Sequence, residues 1–220
     1  QWTAPLSWPL VAIHSILLQT GEVLLWDDHT NNPEDTQAKL WNPQTSQFTT
    51  FPVAPRHFCA SHSQLPDGRI LVTGGAARHD DSNMDDWLGI PEVSLFNPTT
   101  KAWTTTQSMR FARWYPSDVR LSDGRILSLS GQMTDTAWTN TPEIWYPGTG
   151  TWGVVPEVNT SDSQTDSYLL CHLLPDGRIY SIHPGPSQPL RILNLDARTW
   201  TNVGSHQLKQ SSSAMFRPGK

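Results

Sequence analysis

The sequence is poor in charged residues, and this shortage restricts what the protein can bind. Asp, Glu, Lys and Arg make up 16% of the 220 residues, and no run of Lys or Arg occurs. A chain without a basic run lacks the electrostatic footprint of nucleic-acid binding. No apolar stretch reaches ~18 residues, so no segment is predicted to cross a membrane. We therefore expect neither nucleic acid nor a membrane as a partner.

A short motif recurs four times, in a chain that also contains eleven tryptophans. Its glycines are Gly21, Gly68, Gly124 and Gly177, which are separated by 47, 56 and 53 residues, and each precedes an apolar run. In the last three copies the glycine follows Asp. Asp-Gly between alternating apolar runs is a strong hairpin signal, because such a turn requires positive φ.

A second hairpin signal follows the first in every repeat. Six residues after positions 42, 97, 146 and 194 stands an aromatic residue: Phe48, Trp103, Trp152 or Trp200. Each repeat of about 50 residues therefore contains four short strands, which is the kelch period of a β-propeller blade. The tryptophans are then expected to fill the space between blades.

The predicted fold is an all-β, kelch-type propeller in which residues 1–220 form the N-terminal portion of one domain. The blades are expected at about 14–51, 58–106, 115–154 and 168–203, and a fifth begins near residue 211. Propellers must close, so we expect this portion to come from a larger propeller, with seven blades.

Two residues that can carry redox chemistry hold the same place in consecutive blades. Cys59 lies nine residues before Gly68, and Tyr115 lies nine residues before Gly124. Innermost strands surround the propeller axis, so equivalent positions of neighbouring blades approach one another. The register therefore predicts that Cys59 and Tyr115 meet at the axis.

At these residues the sequence resembles galactose oxidase and glyoxal oxidase, the mononuclear copper radical oxidases. The second-blade motif is matched by Phe-Cys-Ala at 58–60 and by Leu-Pro-Asp-Gly-Arg at 65–69, and the third-blade motif by Arg-Trp-Tyr-Pro-Ser at 113–117. The resemblance implies that Cys59 and Tyr115 form a thioether cross-link and that the Tyr115 phenolate binds copper. It also implies that Trp114 shields the cross-linked pair, in the manner of the glyoxal oxidases.

Two departures from the family pattern restrict what the resemblance implies. Met133 stands where galactose oxidase has a tryptophan over the cross-link, which argues against galactose as the substrate. The family's two histidine ligands and its axial tyrosine come from later blades and a C-terminal domain, whose motifs do not occur here. We therefore expect residues 1–220 alone to be inactive and to require those remaining parts.

Other interpretations of the same residues stay open. Cys59 could be a small buried hydrophobe or could pair with Cys171, although Cys171 stands six residues before its glycine and so faces the other side of its strand. Tyr168, which is also nine residues before its glycine, has no cysteine in register and is expected to be structural. His57 and His62 are weak candidates for copper ligands, and His14 is expected to pack in the first inner strand.

The leading hypothesis is that the chain is part of a secreted copper radical oxidase. The enzyme would oxidise a small aldehyde or a primary alcohol, carbohydrate alcohols included, with O₂ and release H₂O₂. The alternative is a non-catalytic kelch module that binds a glycan or a protein through its loop rim, with Cys59 unmodified.

Overall fold

The computed structural model describes residues 7–27, 37–52, 57–78, 87–156, 158, 168–183, 185, 188–207 and 213–215. These residues contain β-strands, turns and bends but no helix. Consequently, no described segment is a helix that could cross a membrane. The start of the predicted fifth blade lies outside the described residues, apart from residues 213–215.

Four antiparallel sheets of four strands follow one another along the chain. The first contains β1 (His14–Leu17), β2 (Val23–Trp26), β3 (Gln37–Asn42) and β4 (Gln47–Pro52). The second contains β5 (Ser61–Gln64), β6 (Ile70–Thr73), β9 (Val93–Asn97) and β10 (Ala102–Thr105). The third contains β11 (Ser117–Arg120), β12 (Ile126–Leu129), β15 (Glu143–Tyr146) and β16 (Thr151–Val154). The fourth contains β17 (Leu170–Leu173), β18 (Ile179–Ile182), β19 (Pro189–Asn194) and β20 (Thr199–Ser205).

Two short ribbons extend from the second and third sheets, between their second and third long strands. They are formed by β7 (Ala76–Arg78) with β8 (Trp87–Gly89), and by β13 (Gln132–Thr134) with β14 (Ala137–Trp138). β13 contacts β8, so the two ribbons pack together. The sequence repeats did not indicate these ribbons, because neither carries the Asp-Gly or Asn-Pro turn of the main hairpins.

Both predicted hairpin turns are present. Gly21, Gly68, Gly124 and Gly177 have φ between 82° and 87°, a conformation that glycine adopts without steric cost. At the second turn, the side-chain oxygens of Asn42, Asn97 and Asn194 accept backbone N–H hydrogen bonds from residues two or three positions later. Such Asn-centred turns stabilise the loop locally.

Among the described residues, the apolar core consists of three clusters, one between each pair of consecutive sheets. Leu24, Trp26 and Leu40 pack with Ile70, Val72 and Phe96 between the first and second sheets. Trp145 lies fully buried between the second and third, and Trp200 packs against the cluster between the third and fourth. The strand order and this packing confirm the all-β propeller fold, with tryptophans between blades as predicted.

The innermost strands β5, β11 and β17 are neighbours, with β11 in the middle. Two hydrogen bonds join β11 to the second sheet: the Thr73 hydroxyl of β6 donates to Asp118 Oδ2 at 2.8 Å, and the Asp118 N–H donates to Ser61 Oγ of β5 at 3.1 Å. Burial raises the pKa of Asp118 to about 6, and the hydrogen bond from Thr73 opposes that shift. These bonds fix where the start of β11 stands relative to the second sheet.

Three histidines near the first two sheets are packed as apolar or hydrogen-bonded core groups. His14 stacks on Trp26 with a centroid distance of 4.7 Å, and His62 meets the same ring edge-on at 5.3 Å. Burial, followed by the neighbouring histidines, lowers the pKa of His14 to about 3, and burial lowers that of His62 to about 4. His57 is held at both ring nitrogens, 2.7 Å from the Gly74 carbonyl and 2.8 Å from Ser94 Oγ. The predicted packing of His14 in the first inner strand is thus observed.

A completely buried ion pair fixes the segment that leads into β11. The Arg113 Nη2 atom lies 3.0 Å from Glu143 Oε2, and both side chains have 0% exposure. The guanidinium also donates to the carbonyls of Ser130 and Thr141, each at 2.6 Å. Burying a charge is costly unless it is paired and hydrogen-bonded, and here the Arg113 charge is bound by three acceptors.

The partner carboxylate and the Arg113 backbone extend this network into the second sheet. Glu143 accepts hydrogen bonds from the N–H groups of Arg110 at 2.6 Å and Phe111 at 3.3 Å. The Arg113 carbonyl accepts from Gly75 N–H at 2.9 Å, and the Arg113 N–H donates to Ile90 O at 3.1 Å. Residues 110–113 are therefore fixed at the backbone as well as through the Arg113 side chain.

We predict that Glu143→Gln lowers the free energy of unfolding by about 3–5 kcal/mol, because it leaves the Arg113 charge buried without its partner. The measurement is denaturant unfolding of the full-length protein. Asp123→Asn is the matched control: it removes the charge of the exposed Asp123–Arg125 pair, for which a loss below ~1 kcal/mol is expected. Equal losses in the two variants would show that the buried pair has no special weight.

We also predict that Gly89→Ala destabilises the contact between the two ribbons. A Cβ atom at Gly89 would overlap the Gln132 carbonyl oxygen and stand 2.8 Å from the Trp114 nitrogen, so backbone must move, at a cost of about 1–3 kcal/mol. Gly148→Ala is the control, because a Cβ there meets nothing within 4 Å. Comparison of thermal unfolding and Trp fluorescence checks this, and a Gly89→Ala protein as stable as the control would contradict the packing.

Candidate active site

Three residues from three sheets share an unusual backbone conformation at the propeller axis. Cys59, Tyr115 and Tyr168 have φ values of 53°, 58° and 48°. A bulky residue in this left-handed region is strained by roughly 1–3 kcal/mol, and such strain clusters at functional sites. All three stand nine residues before the turn glycine of their repeat, so the strain is a repeated feature of the inner rim.

Backbone hydrogen bonds join these three residues across the sheets. The Tyr115 N–H donates to the Cys59 carbonyl at 3.1 Å, and the Tyr168 N–H donates to the Tyr115 carbonyl at 3.0 Å. The structure therefore places Cys59 beside Tyr115, although 56 residues separate them in the sequence. Cys59 is buried with 7% exposure, whereas Tyr115 is partly exposed.

Trp114 covers one side of Tyr115. The two rings stack with a centroid distance of 4.5 Å and an interplanar angle of 22°. The Trp114 backbone is fixed by reciprocal hydrogen bonds with Gln132, both of 2.7 Å. Trp114 is therefore attached to the β13–β14 ribbon, and the ribbon controls how the indole lies over the phenol. Met133, which is expected to replace the galactose oxidase tryptophan, also lies on this ribbon.

Tyr168, for which the sequence predicts a structural role and no cysteine in register, also lies in this group of side chains. Its ring meets that of Tyr115 edge-on, at a centroid distance of 4.8 Å and an angle of 67°. Burial raises the pKa of Tyr168, and the charge of Cys59 and a hydrogen bond with the Cys59 side chain raise it further. Tyr168 stands nine residues before its turn glycine, as Cys59 and Tyr115 do, and this spacing is the sequence signal for its position. Its proximity to Cys59 does not follow from neighbouring repeats, because the two residues belong to the fourth and second repeats.

The second cysteine has no part in this group. Cys59 and Cys171 are not joined by a disulfide, so the open disulfide alternative is not observed. Cys171 lies on β17, where its Sγ atom is 3.8 Å from Ser181 Oγ. Burial raises the pKa of the Cys171 thiol to about 12, which makes it an unreactive core residue at neutral pH.

The residues present can supply part of a copper site. Within the described ranges, no group of three or more His, Cys, Asp or Glu residues could hold a metal ion. Tyr115 is partly exposed and is hydrogen-bonded through its backbone to Cys59. Phenolate is an acceptable ligand for copper, which lowers the pKa of the groups it binds. Among the described residues, the site therefore offers copper one ligand of suitable chemistry, the Tyr115 phenol. His57 offers no free nitrogen for the metal.

Two of the known proteins that this chain resembles are named as oxidases. No family model matches it. A galactose oxidase of Gibberella zeae is 26% identical over 175 residues, which cover 75% of this chain and 24% of that protein. The "Aldehyde oxidase GLOX" of Vitis pseudoreticulata is 26% identical over 144 residues, which cover 62% of this chain and 25% of that protein. The chain thus spans about a quarter of the length of these relatives.

A solved structure has the same fold. It is described as a novel fungal alcohol oxidase with catalytic diversity among the AA5 family, in complex with copper. Its TM-score is 0.68 at 22% identity, with 98% of this chain and 45% of that chain covered. The resemblance to the galactose oxidase and glyoxal oxidase family of copper radical oxidases, predicted from the blade motifs, is therefore confirmed in sequence and in fold.

Proposed function

We propose that the chain is the N-terminal part of a secreted copper radical oxidase. The full-length protein oxidises a small aldehyde or a primary alcohol, carbohydrate alcohols included, with O₂ and releases H₂O₂. The observation that supports this proposal is the 3.1 Å hydrogen bond between the Tyr115 N–H and the Cys59 carbonyl. Two relatives of the chain are named as a galactose oxidase and an aldehyde oxidase, and these names support the proposed substrate class.

The reaction needs two one-electron stores, because oxidation of an alcohol or aldehyde by O₂ moves two electrons. Bound copper supplies one of them through its Cu(II)/Cu(I) couple. Tyr115 supplies the other as a phenoxyl radical, and a thioether from Cys59 at the ortho carbon makes that phenol easier to oxidise. Trp114, stacked at 4.5 Å, excludes water from one face of the radical. Tyr115 also acts as a copper ligand through its phenolate oxygen.

The outer sheets leave apolar surface that later parts of the same protein can cover. Val11, Ile13 and Leu17, in and before β1, are 74%, 42% and 64% exposed. At the other end, Val203 in β20 is 49% exposed and Met215 is 36% exposed. Exposed apolar groups at both ends of a stack of sheets are typical of surfaces that pack against a partner. We assign both surfaces to further blades, which with a C-terminal domain supply the remaining copper ligands.

The sharpest test of the proposed function is the chemical state of Cys59. After exposure of the full-length protein to copper and O₂, we expect its intact mass to fall by two hydrogens and Cys59 to resist alkylation in reducing denaturant. Cys171 serves as an internal control, because it stays alkylatable. Cys59→Ser should abolish the mass change and lower peroxide production at least about tenfold, equivalent to ~1.4 kcal/mol in the barrier.

A Cys59 that stays fully alkylatable after copper loading would reject the oxidase proposal and favour the non-catalytic kelch module. Methylglyoxal and galactose are suitable first substrates for the peroxide assay, since they represent the aldehyde and the alcohol class. A preference for galactose would contradict the argument from Met133.

A further inference from the structure

The side chain of Tyr168 lies against both members of the proposed cross-link. We propose that Tyr168 is a positioning residue that holds the Cys59 thiol against the Tyr115 ring before the thioether forms. This inference rests on the proposed function, because it assigns a role in building the cofactor of that same site. The proposal thus adds Tyr168, from a third sheet, to the site formed by Cys59 and Tyr115.

The contacts of Tyr168 are suited to this role. Its hydroxyl donates to the carbonyl of Ala60, the residue after Cys59, at 3.5 Å. Interaction with the Cys59 side chain is among the causes that raise the pKa of Tyr168. Its ring edge packs on Tyr115 at 4.8 Å. The hydroxyl therefore restricts rotation of the Cys59 side chain, while the ring restricts the Tyr115 phenol.

The backbone conformation of Tyr168 favours a specific role for this residue over general packing. Tyr168 has φ of 48°, in a region that costs a bulky residue free energy and is retained where surrounding structure enforces it. Its N–H donates to the Tyr115 carbonyl at 3.0 Å. Packing alone would be satisfied by a phenylalanine, so the hydroxyl is the part whose function can be tested separately.

The chemistry that Tyr168 assists is balanced as follows. The Cys59 S–H bond and one ring C–H bond of Tyr115, ortho to its hydroxyl, are broken, and a carbon–sulfur bond is formed. Two electrons and two protons pass to O₂, which becomes H₂O₂. Tyr168 is neither oxidised nor consumed. It lowers the freedom of the two reacting groups, which raises the fraction of molecules in a reactive arrangement.

The test compares Tyr168→Phe with wild-type full-length protein, both prepared without copper. Copper and air are then added, and the fraction of alkylatable Cys59 is followed by mass spectrometry. We expect cross-linking to be about five- to tenfold slower in the variant, the effect of losing one neutral hydrogen bond. Tyr180→Phe is the matched control, because it removes a hydroxyl from β18 of the same sheet.

A second measurement does not depend on the cross-link. In the folded, copper-free protein, Cys59 should be alkylated faster in Tyr168→Phe than in wild type or Tyr180→Phe, at equal thermal stability. Cross-linking at the wild-type rate, with unchanged Cys59 alkylation, would overturn the positioning role and leave the proposed function standing. A wild-type protein that never loses two hydrogens would instead reject the proposed function, while the alkylation comparison would still decide whether Tyr168 holds the thiol.

Discussion

The buried ion pair between Arg113 and Glu143 is the interaction on which the rest of the site depends. Arg113 lies two residues before Tyr115, and neither side chain of the pair is exposed. The Arg113 side chain binds carbonyls of the third sheet, and its backbone binds Gly75 and Ile90 of the second. A single residue therefore joins two sheets at the point where the chain turns towards the axis. Trp114 and Tyr115 follow directly, and their directions are set by that anchor.

This anchor also explains why close backbone approach is needed around it. A Cβ atom at Gly74 would overlap the Arg113 carbonyl, and one at Gly131 would stand 2.8 Å from the Arg113 Cβ. Larger residues would separate the sheets from the arginine. The strained backbone of Cys59, Tyr115 and Tyr168 is maintained by the same surroundings, because the hydrogen bonds that link them require the inner rims to stay in contact. The hydrogen bonds of Arg113 therefore also help to fix the positions of Cys59, Tyr115 and Tyr168 relative to one another.

Much of the fold and part of the site could be predicted from the sequence. The features that could not be predicted depend on contacts between distant parts of the chain. Turn chemistry is local, so the Asp-Gly turns and the aromatic positions predicted the hairpins and the propeller. The proximity of Cys59 and Tyr115 was predicted because both residues stand nine positions before the turn glycine of their own repeat. The Arg113–Glu143 pair was not predicted, because a buried charge in a sequence is indistinguishable from a surface one until its partner is known. The proximity of Tyr168 to Cys59 was not predicted either, because these residues do not belong to consecutive repeats.

The central claim is that Cys59 is joined to Tyr115 and not to Tyr168, the other phenol beside it. Peptide mapping with tandem mass spectrometry of the copper-treated, full-length protein tests this directly, since proteolysis yields one branched peptide whose fragments identify the modified tyrosine. We predict a branched peptide that links Cys59 to Tyr115, two hydrogens lighter than the sum of its parts. A linkage from Cys59 to Tyr168, or unmodified peptides alone, would contradict the claim.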